Sequence, residues 1–219
     1  MPRALFEKKG NAIWISHLDL MRVFQRAFKR AGLHLTHSQG FNPRPSVSIA
    51  LPLSVGVESC CELLDFDLEG EMVSREQIRD KLNSALVDGV RVLQVYEDGA
   101  KIKHLAYLDC LVTLEYDAGI PEGAEAQIRS LFACPEVLVE KKSKNGVKEE
   151  NIISMIRSLE ISALDGHVLQ LAARVCCQNP TLNPAQLCVA ISRHLPELTP
   201  DFSRCSRVEI YDTEGTIFR

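Results

Sequence analysis

The stretch SHLDLMRVFQRAFKRAGLHLTHSQGFNPRPSVSIALPLSVGVES, Ser16–Ser59, decides how the chain is read. It packs a helix, a loop and a strand into one segment. Ser16 followed by Asp19 has the form of a capping box, with a hydroxyl serving the N–H three residues on and a carboxylate reaching back to the start. Met21, Phe24, Phe28 and Ala31 recur at helical spacing and predict a buried stripe, and Gly32 stops the helix. Arg22, Arg26, Lys29 and Arg30 share another face. In SQGFNPRP, Gly40 permits a positive φ, while Pro43 and Pro45 hold Asn42 and Arg44 extended. Phe41 offers a stacking face and Arg44 a guanidinium fork. Such a loop suits base stacking or anion binding. The bland alternative is a rigid connector with Phe41 in the core.

Working outward, Arg3–Ile15 alternates and predicts a first strand or hairpin with Lys9-Gly10-Asn11 as its turn. Leu33–Thr36 and Ser46–Leu53 read as strands, Ser54–Glu58 as a turn around Gly56, and Cys60–Leu68 as another strand. Ser74–Leu86 reads as a helix with Ser74 and Gln77 in a second capping box, and Val90–Tyr96 as a closing strand. The order β-α-β-β-α-β is that of a ferredoxin-like unit. After the polar break Glu97–Lys103 the order repeats. Strands are expected at His104–Tyr116, Val137–Lys142, Val168–Cys176 and Arg207–Tyr211, and helices at Ala124–Ala133 and Pro184–His194. The segment Ile152–Ile161 fits strand or short helix, and KKSKNGVK (Lys141–Lys148) reads as a solvated hairpin tip. The expected fold is therefore α+β, with two tandem ferredoxin-like units and antiparallel sheets over residues 1–98 and 104–219.

The 219 residues carry a net charge of −4, which by itself points to no nucleic-acid partner. Its distribution is uneven. Residues 1–50 hold eight basic side chains against two acidic, and the remainder 17 against 27. A basic front on an acidic body suits an anionic partner, an interface between the halves, or a solvated helix face. Eight cysteines include two adjacent pairs and no C-x2-C spacing, so reduced, mostly buried thiols are expected, with no metal and no cofactor. Met1–Gly10 has no apolar leader region and no run approaches a membrane span, so a cytoplasmic protein without a membrane partner is expected.

Two site chemistries follow. For RNA or phosphate contact the candidates are Lys8, Arg22, Arg26, Arg30, Phe41, Asn42 and Arg44. For catalysis they are His17 and Asp19 at the helix start with His37 twenty residues on, a His–carboxylate acid–base set. The competing reading gives Asp19 a capping role and leaves His17 at the surface.

The motifs FEKKG, SHLDLMR, RAG, SQGFNPRP and LPLSVGVES resemble those of the bacterial radical-SAM-linked proteins, a domain of unknown function. The resemblance is specific over about residues 5–70 and diffuse afterwards. It implies a chain encoded beside, or fused to, a radical SAM enzyme, often near ribonuclease E/G, and so a role with RNA or a ribosome-associated substrate. Arg44 departs from the family pattern, where His is common. No C-x3-C-x2-C spacing is present, so this chain would serve such an enzyme as a separate recognition subunit. The alternatives are an RNA-processing or RNA-modifying enzyme, endoribonuclease- or pseudouridine-synthase-like, and a protein-docking scaffold.

Overall fold

The computed structural model describes residues 1–70, 73–97, 99–143 and 146–219. It shows a mixed α/β fold with four α-helices and mostly antiparallel strand pairing among the described residues. The chain divides into a first unit, Met1–His104 with Ile217–Arg219, and a second, Leu105–Thr216.

In the first unit β1 (Arg3–Lys8) is central. It pairs antiparallel with β3 (Glu58–Phe66) and with β4 (Val90–Tyr96), and β2 (Val47–Ala50) pairs with the other edge of β3. The strand order is β4-β1-β3-β2. Alternation puts Ala4, Phe6 and Lys8 on one buried face. Helix α1 (His17–Arg30) packs onto that face, with Phe6 edge-on to Phe24 at 4.8 Å between centroids and Phe28 5.0 Å from Phe66. Helix α2 (Arg75–Ala85) adds Ile78 and Leu82 to the same core. Its capping box is complete: Ser74 Oγ accepts from the Gln77 amide and Gln77 Oε1 accepts from the Ser74 amide, both at 3.2 Å. At Gly89, with φ +83°, a Cβ would sit 2.3 Å from the Lys9 carbonyl oxygen, so only glycine fits against that turn.

The second unit is ordered β10-β5-β9-β8, from β5 (Leu105–Glu115), β8 (Ile156–Ala163), β9 (Val168–Cys176) and β10 (Phe202–Asp212), all paired antiparallel. Helix α3 (Ala124–Phe132) follows β5, and helix α4 (Ala185–His194) follows β9. The Asn183 side chain accepts from the Ala185 amide at 3.1 Å, capping α4. Between α3 and β8 an added hairpin, β6 (Leu138–Ser143) and β7 (Gly146–Asn151), forms a two-stranded sheet of its own. The tip of the expected Lys-rich turn, Lys144 and Asn145, lies outside the described residues. One sheet face buries Leu108, Cys110, Val112 and Leu114 with Leu169, Leu171 and Val175.

The opposite face carries a charged cluster. Arg174 donates two hydrogen bonds to Asp109, at 2.7 and 2.9 Å, Tyr211 donates a third at 2.8 Å, and the guanidinium lies 3.8 Å from the Tyr211 ring centre. Partial burial opposes ionisation of Asp109. The bonds from Arg174 and Tyr211 outweigh it and hold the carboxyl below its ordinary value. A depressed folded-state value means stability that is present above the unfolded pKa, about 3.9, and lost as pH falls through the folded one. Asp109→Asn is therefore expected to cost about 1–3 kcal/mol near neutrality, with the gap from the parent narrowing below about pH 4. Urea denaturation over a pH series checks this, and a gap independent of pH contradicts it.

All eight cysteines are unbridged, and most are buried or half-buried; Cys134 is exposed. Burial pushes the Cys110 thiol up to about 12 and those of Cys177 and Cys205 up to about 11. No helix among the described residues is long and apolar enough to cross a membrane.

The structure refines four local expectations. Arg3–Ile15 is not a hairpin: β1 ends at Lys8 and Gly10–Trp14 form a 3-10 turn, because the Lys8 ammonium collects carbonyls from that segment. Leu33–Thr36 is no full strand. It is held by isolated bridges, Leu35 to Leu68 and, just beyond, His37 to Pro45. Ile152–Ile161 divides into a 3-10 turn, Ile153–Met155, and strand β8. The last three residues, expected with the second unit, belong to the first: Arg219 O accepts from the Ala100 amide at 2.6 Å and Phe218 lies under the Arg3 guanidinium.

Candidate functional site

Two ends of α1 present different groups. At its start, Ser16 caps in extended conformation and its Oγ accepts from the Asp19 amide at 3.2 Å. The carboxylate does not close the expected box. It accepts from the Ser16 hydroxyl at 2.7 Å and from Arg22 Nη1 at 2.7 Å. These two bonds hold the Asp19 carboxyl below its ordinary value, so a fixed anion stands in the first turn of the helix. It already complements the positive helix end, which makes that end a poor phosphate seat. His17 is half-buried at the first helical position.

The same end is braced from below. Lys8 is 1% exposed and donates to Ile13 O at 3.1 Å and Ile15 O at 2.8 Å. Burial lowers its pKa, and Glu62, itself buried, offsets that in part. The Gly56 amide donates to Ile13 O at 2.9 Å. Gly56 takes φ +83°, and an added Cβ there would meet the exposed Trp14 ring at 3.4 Å. The FEKKG and GVES motifs thus build the support for the start of α1. As a phosphate ligand Lys8 is ruled out: its ammonium is inside.

The other end of α1 lies beside the Pro-rich loop. Ser38 and Arg44 close the loop, with the Ser38 amide donating to Arg44 O at 2.9 Å and the Arg44 amide to Ser38 Oγ at 3.0 Å. The Ser46 amide donates to Thr36 O at 2.7 Å below them. Phe41 is fully exposed, which excludes a core-tucked ring, and Asn42 and Arg44 are exposed with it. On α1, Arg22, Arg26, Lys29 and Arg30 are all exposed. Arg30 is nevertheless tied down, donating to the Ala85 carbonyl at the end of α2. Arg22 is paired with Asp19. Arg26 and Lys29 complete the outward cationic face.

Between the second half of α1 and the segment after it lies an open cavity of about 400 Å³. Its floor is apolar: Phe28, Leu33, Leu35 and Pro45. His37 lines it too. His17 stands about 18 Å from Lys29 along the helix axis, at a 1.5 Å rise per residue, and Lys29 shares the cavity with His37. The acid–base set of His17, Asp19 and His37 is therefore not assembled. Sequence spacing suggests it because both histidines flank one helix, but they flank opposite ends. The cavity escapes sequence reading. Gln25, His34 and Glu69 carry no motif, and only the turn after Gly32, with the Glu69 amide donating to His34 O at 2.8 Å, brings them together. Among the described residues no group of three or more His, Cys, Asp or Glu is placed to hold a metal ion.

These features define a two-unit mixed α/β protein with a basic helix face and a solvent-presented aromatic loop. The chain belongs to the family described as "Uncharacterized protein conserved in bacteria (DUF2344)", whose model it matches over residues 2–184. No curated protein matches it. Among solved structures it is similar to a chain of a Cbf5-Nop10-Gar1 complex, at 9% identity and TM-score 0.53, covering 95% of this chain and 48% of that one. It also matches a chain of the archaeal box H/ACA sRNP Nop10-Cbf5 complex at 10% identity and TM-score 0.45, covering 94% and 46%. The chain thus spans about half the length of these solved relatives. A protein from Galdieria sulphuraria matches at 13% identity and TM-score 0.26, covering 94% of this chain and 96% of that one. At 9% identity the likeness to the Cbf5-Nop10-Gar1 complex chain is one of fold.

Proposed function

We propose that this chain is a non-catalytic recognition module that binds RNA, or an RNA-bearing substrate, through α1 and the Gly40–Pro45 loop of a ferredoxin-like first unit. The second unit, residues 105–216, is proposed as a ferredoxin-like partner domain. The order β-α-β-β-α-β, with its last, first, third and second strands side by side, supports that reading in both units. One observation carries the function: Phe41 is wholly exposed on a loop that its own hydrogen bonds close, with Arg44 beside it and Arg26 and Lys29 on the neighbouring helix. An aromatic ring held in water beside cations is what stacking on an unpaired base requires. The tie to a radical SAM enzyme rests on the motif resemblance alone, and in it this chain presents substrate to a separate catalytic subunit. The likeness to the Cbf5 complex chain agrees with this reading at the level of architecture.

Arg22→Ala with Arg26→Ala is expected to flatten the slope of log affinity against log salt for single-stranded RNA by about one unit for each phosphate left without its cation. Phe41→Ala is expected to weaken binding by about 1–3 kcal/mol with the slope unchanged. Fluorescence anisotropy over a salt series measures both. A parent protein whose affinity ignores salt, or that retains no RNA, rules the reading out.

A further inference from the structure

The rim of the cavity beside the loop differs in chemistry from its floor. Gln25 and Glu69 bring an amide and a carboxylate, His34 and His37 bring ring nitrogens, and Lys29 brings an ammonium. The floor is apolar, lined by Leu33, Leu35 and Pro45 with the fully buried Phe28 among them. The rim is held in place by backbone bonds on both sides: Glu69 N to His34 O at 2.8 Å, Thr36 N to Asp67 O at 3.0 Å, and the bridge of His37 with Pro45. The loop that presents Phe41 rises directly from that bridge.

We propose that this cavity receives a single unstacked nucleobase of the bound RNA, with its phosphate toward Lys29. This deepens the RNA reading above and rests on it. The chemistry favours a base over other occupants. A base is planar and apolar on its faces, which fits the floor, and it carries donors and acceptors on its edge, which fits an amide, a carboxylate and two imidazoles. It also comes attached to an anion, which suits Lys29 with Arg26 and Arg44 in the same unit and only Glu69 opposing among the rim residues. The volume, about 400 Å³, lies within the ordinary range of small-ligand pockets. Phe41 outside and the cavity at the loop's base then engage neighbouring nucleotides, one stacked and one seated.

The test has two arms. In the first, the four nucleoside 5′-monophosphates are titrated in turn while the ring resonances of His34 and His37 are followed by NMR. At least one is expected to shift both rings saturably. Gln25→Trp, a larger side chain at a half-buried surface position of α1, is expected to weaken that binding by about tenfold or more while circular dichroism stays unchanged. No saturable shift with any of the four overturns the proposal, as does a shift that persists in Gln25→Trp. So does an equal response to N-acetyltyrosine amide, which marks a peptide-binding cavity.

In the second arm, single-stranded RNA of about 12 nucleotides is compared with an abasic strand of the same length. The abasic strand is expected to bind at least about tenfold more weakly at equal salt. Equal binding overturns the base pocket and leaves the phosphate-dependent RNA reading standing. If neither strand binds while a mononucleotide still saturates the histidine shifts, the RNA reading fails and the cavity stands as a nucleotide site.

Discussion

Arg3→Met is expected to destabilise the first unit by about 3–5 kcal/mol, a larger loss than at any other side chain considered. Arg3 is only 4% exposed, and its guanidinium is shared among three elements. It grips Asp65 on β3 through two bonds, at 2.6 and 3.0 Å, and donates to the Ala100 carbonyl at 2.9 Å. It also lies 5.5 Å from the Phe218 ring centre. Methionine fills much of the same volume but leaves a largely buried carboxylate and a carbonyl without their donor. Removing one member of a buried ion pair costs far more than the pair is worth, because the survivor keeps its desolvation penalty. The double change Arg3→Met with Asp65→Leu should therefore recover most of the loss. Urea denaturation of parent, single and double variants measures this. A single-variant loss under about 1 kcal/mol, or a double variant no better than the single, rejects the account.

The second large effect is expected at Lys8. Lys8→Met should cost about 2–4 kcal/mol and loosen the Gly10–Trp14 turn. The Ile15 carbonyl loses its ammonium partner, Ile13 loses one of two donors, and buried Glu62 loses a neighbouring positive charge. The local consequence is as informative as the global one. The Gly56 amide bonded to Ile13 should exchange with solvent faster, and Trp14, the only tryptophan in the chain, should show lower fluorescence anisotropy. Protection at Gly56 equal to the parent would show that the turn stands without the lysine. RNA affinity should fall less than stability, since the Lys8 ammonium faces inward and acts only by placing the start of α1.

Much of the fold is legible because it rests on short-range rules. Ser74 with Gln77 forms the box its spacing announces, Val90–Tyr96 and Val168–Cys176 are strands of the expected bounds, and the helix-period stripe of α1 buries Phe24 and Phe28. Even there the register shifts: Leu20 and Ala27 are buried, whereas Met21 and Ala31 sit at the margin. Periodicity gives the direction of a face, but the neighbouring sheet decides its centre. Ser16 with Asp19 looks like the same box and is not one, because Arg22 one turn on competes for the carboxylate.

The candidate site is legible in part. Its loop stands where the residue types point, with Phe41, Asn42 and Arg44 outward, and the cations of α1 line the helix face beside it. Lys8 and Arg30 depart from the role their motifs suggest, for one reason. A cation in a motif reads the same whether it meets water or a carbonyl, and only packing shows that Lys8 faces Ile13 and Ile15 and that Arg30 reaches Ala85.

From sequence alone come most of the helices and strands and the mixed α/β class, since propensity, capping and alternation act within a few residues. Ser16–Ser59 already marks where the proposed working surface lies. Tertiary structure decides what each charge does and which residues meet. It sets His17 and His37 at opposite ends of α1 and turns the end of the helix and the segment after it into a cavity. Burial and long-range pairing depend on residues far apart in the chain, and no local pattern encodes which carbonyl a lysine will find.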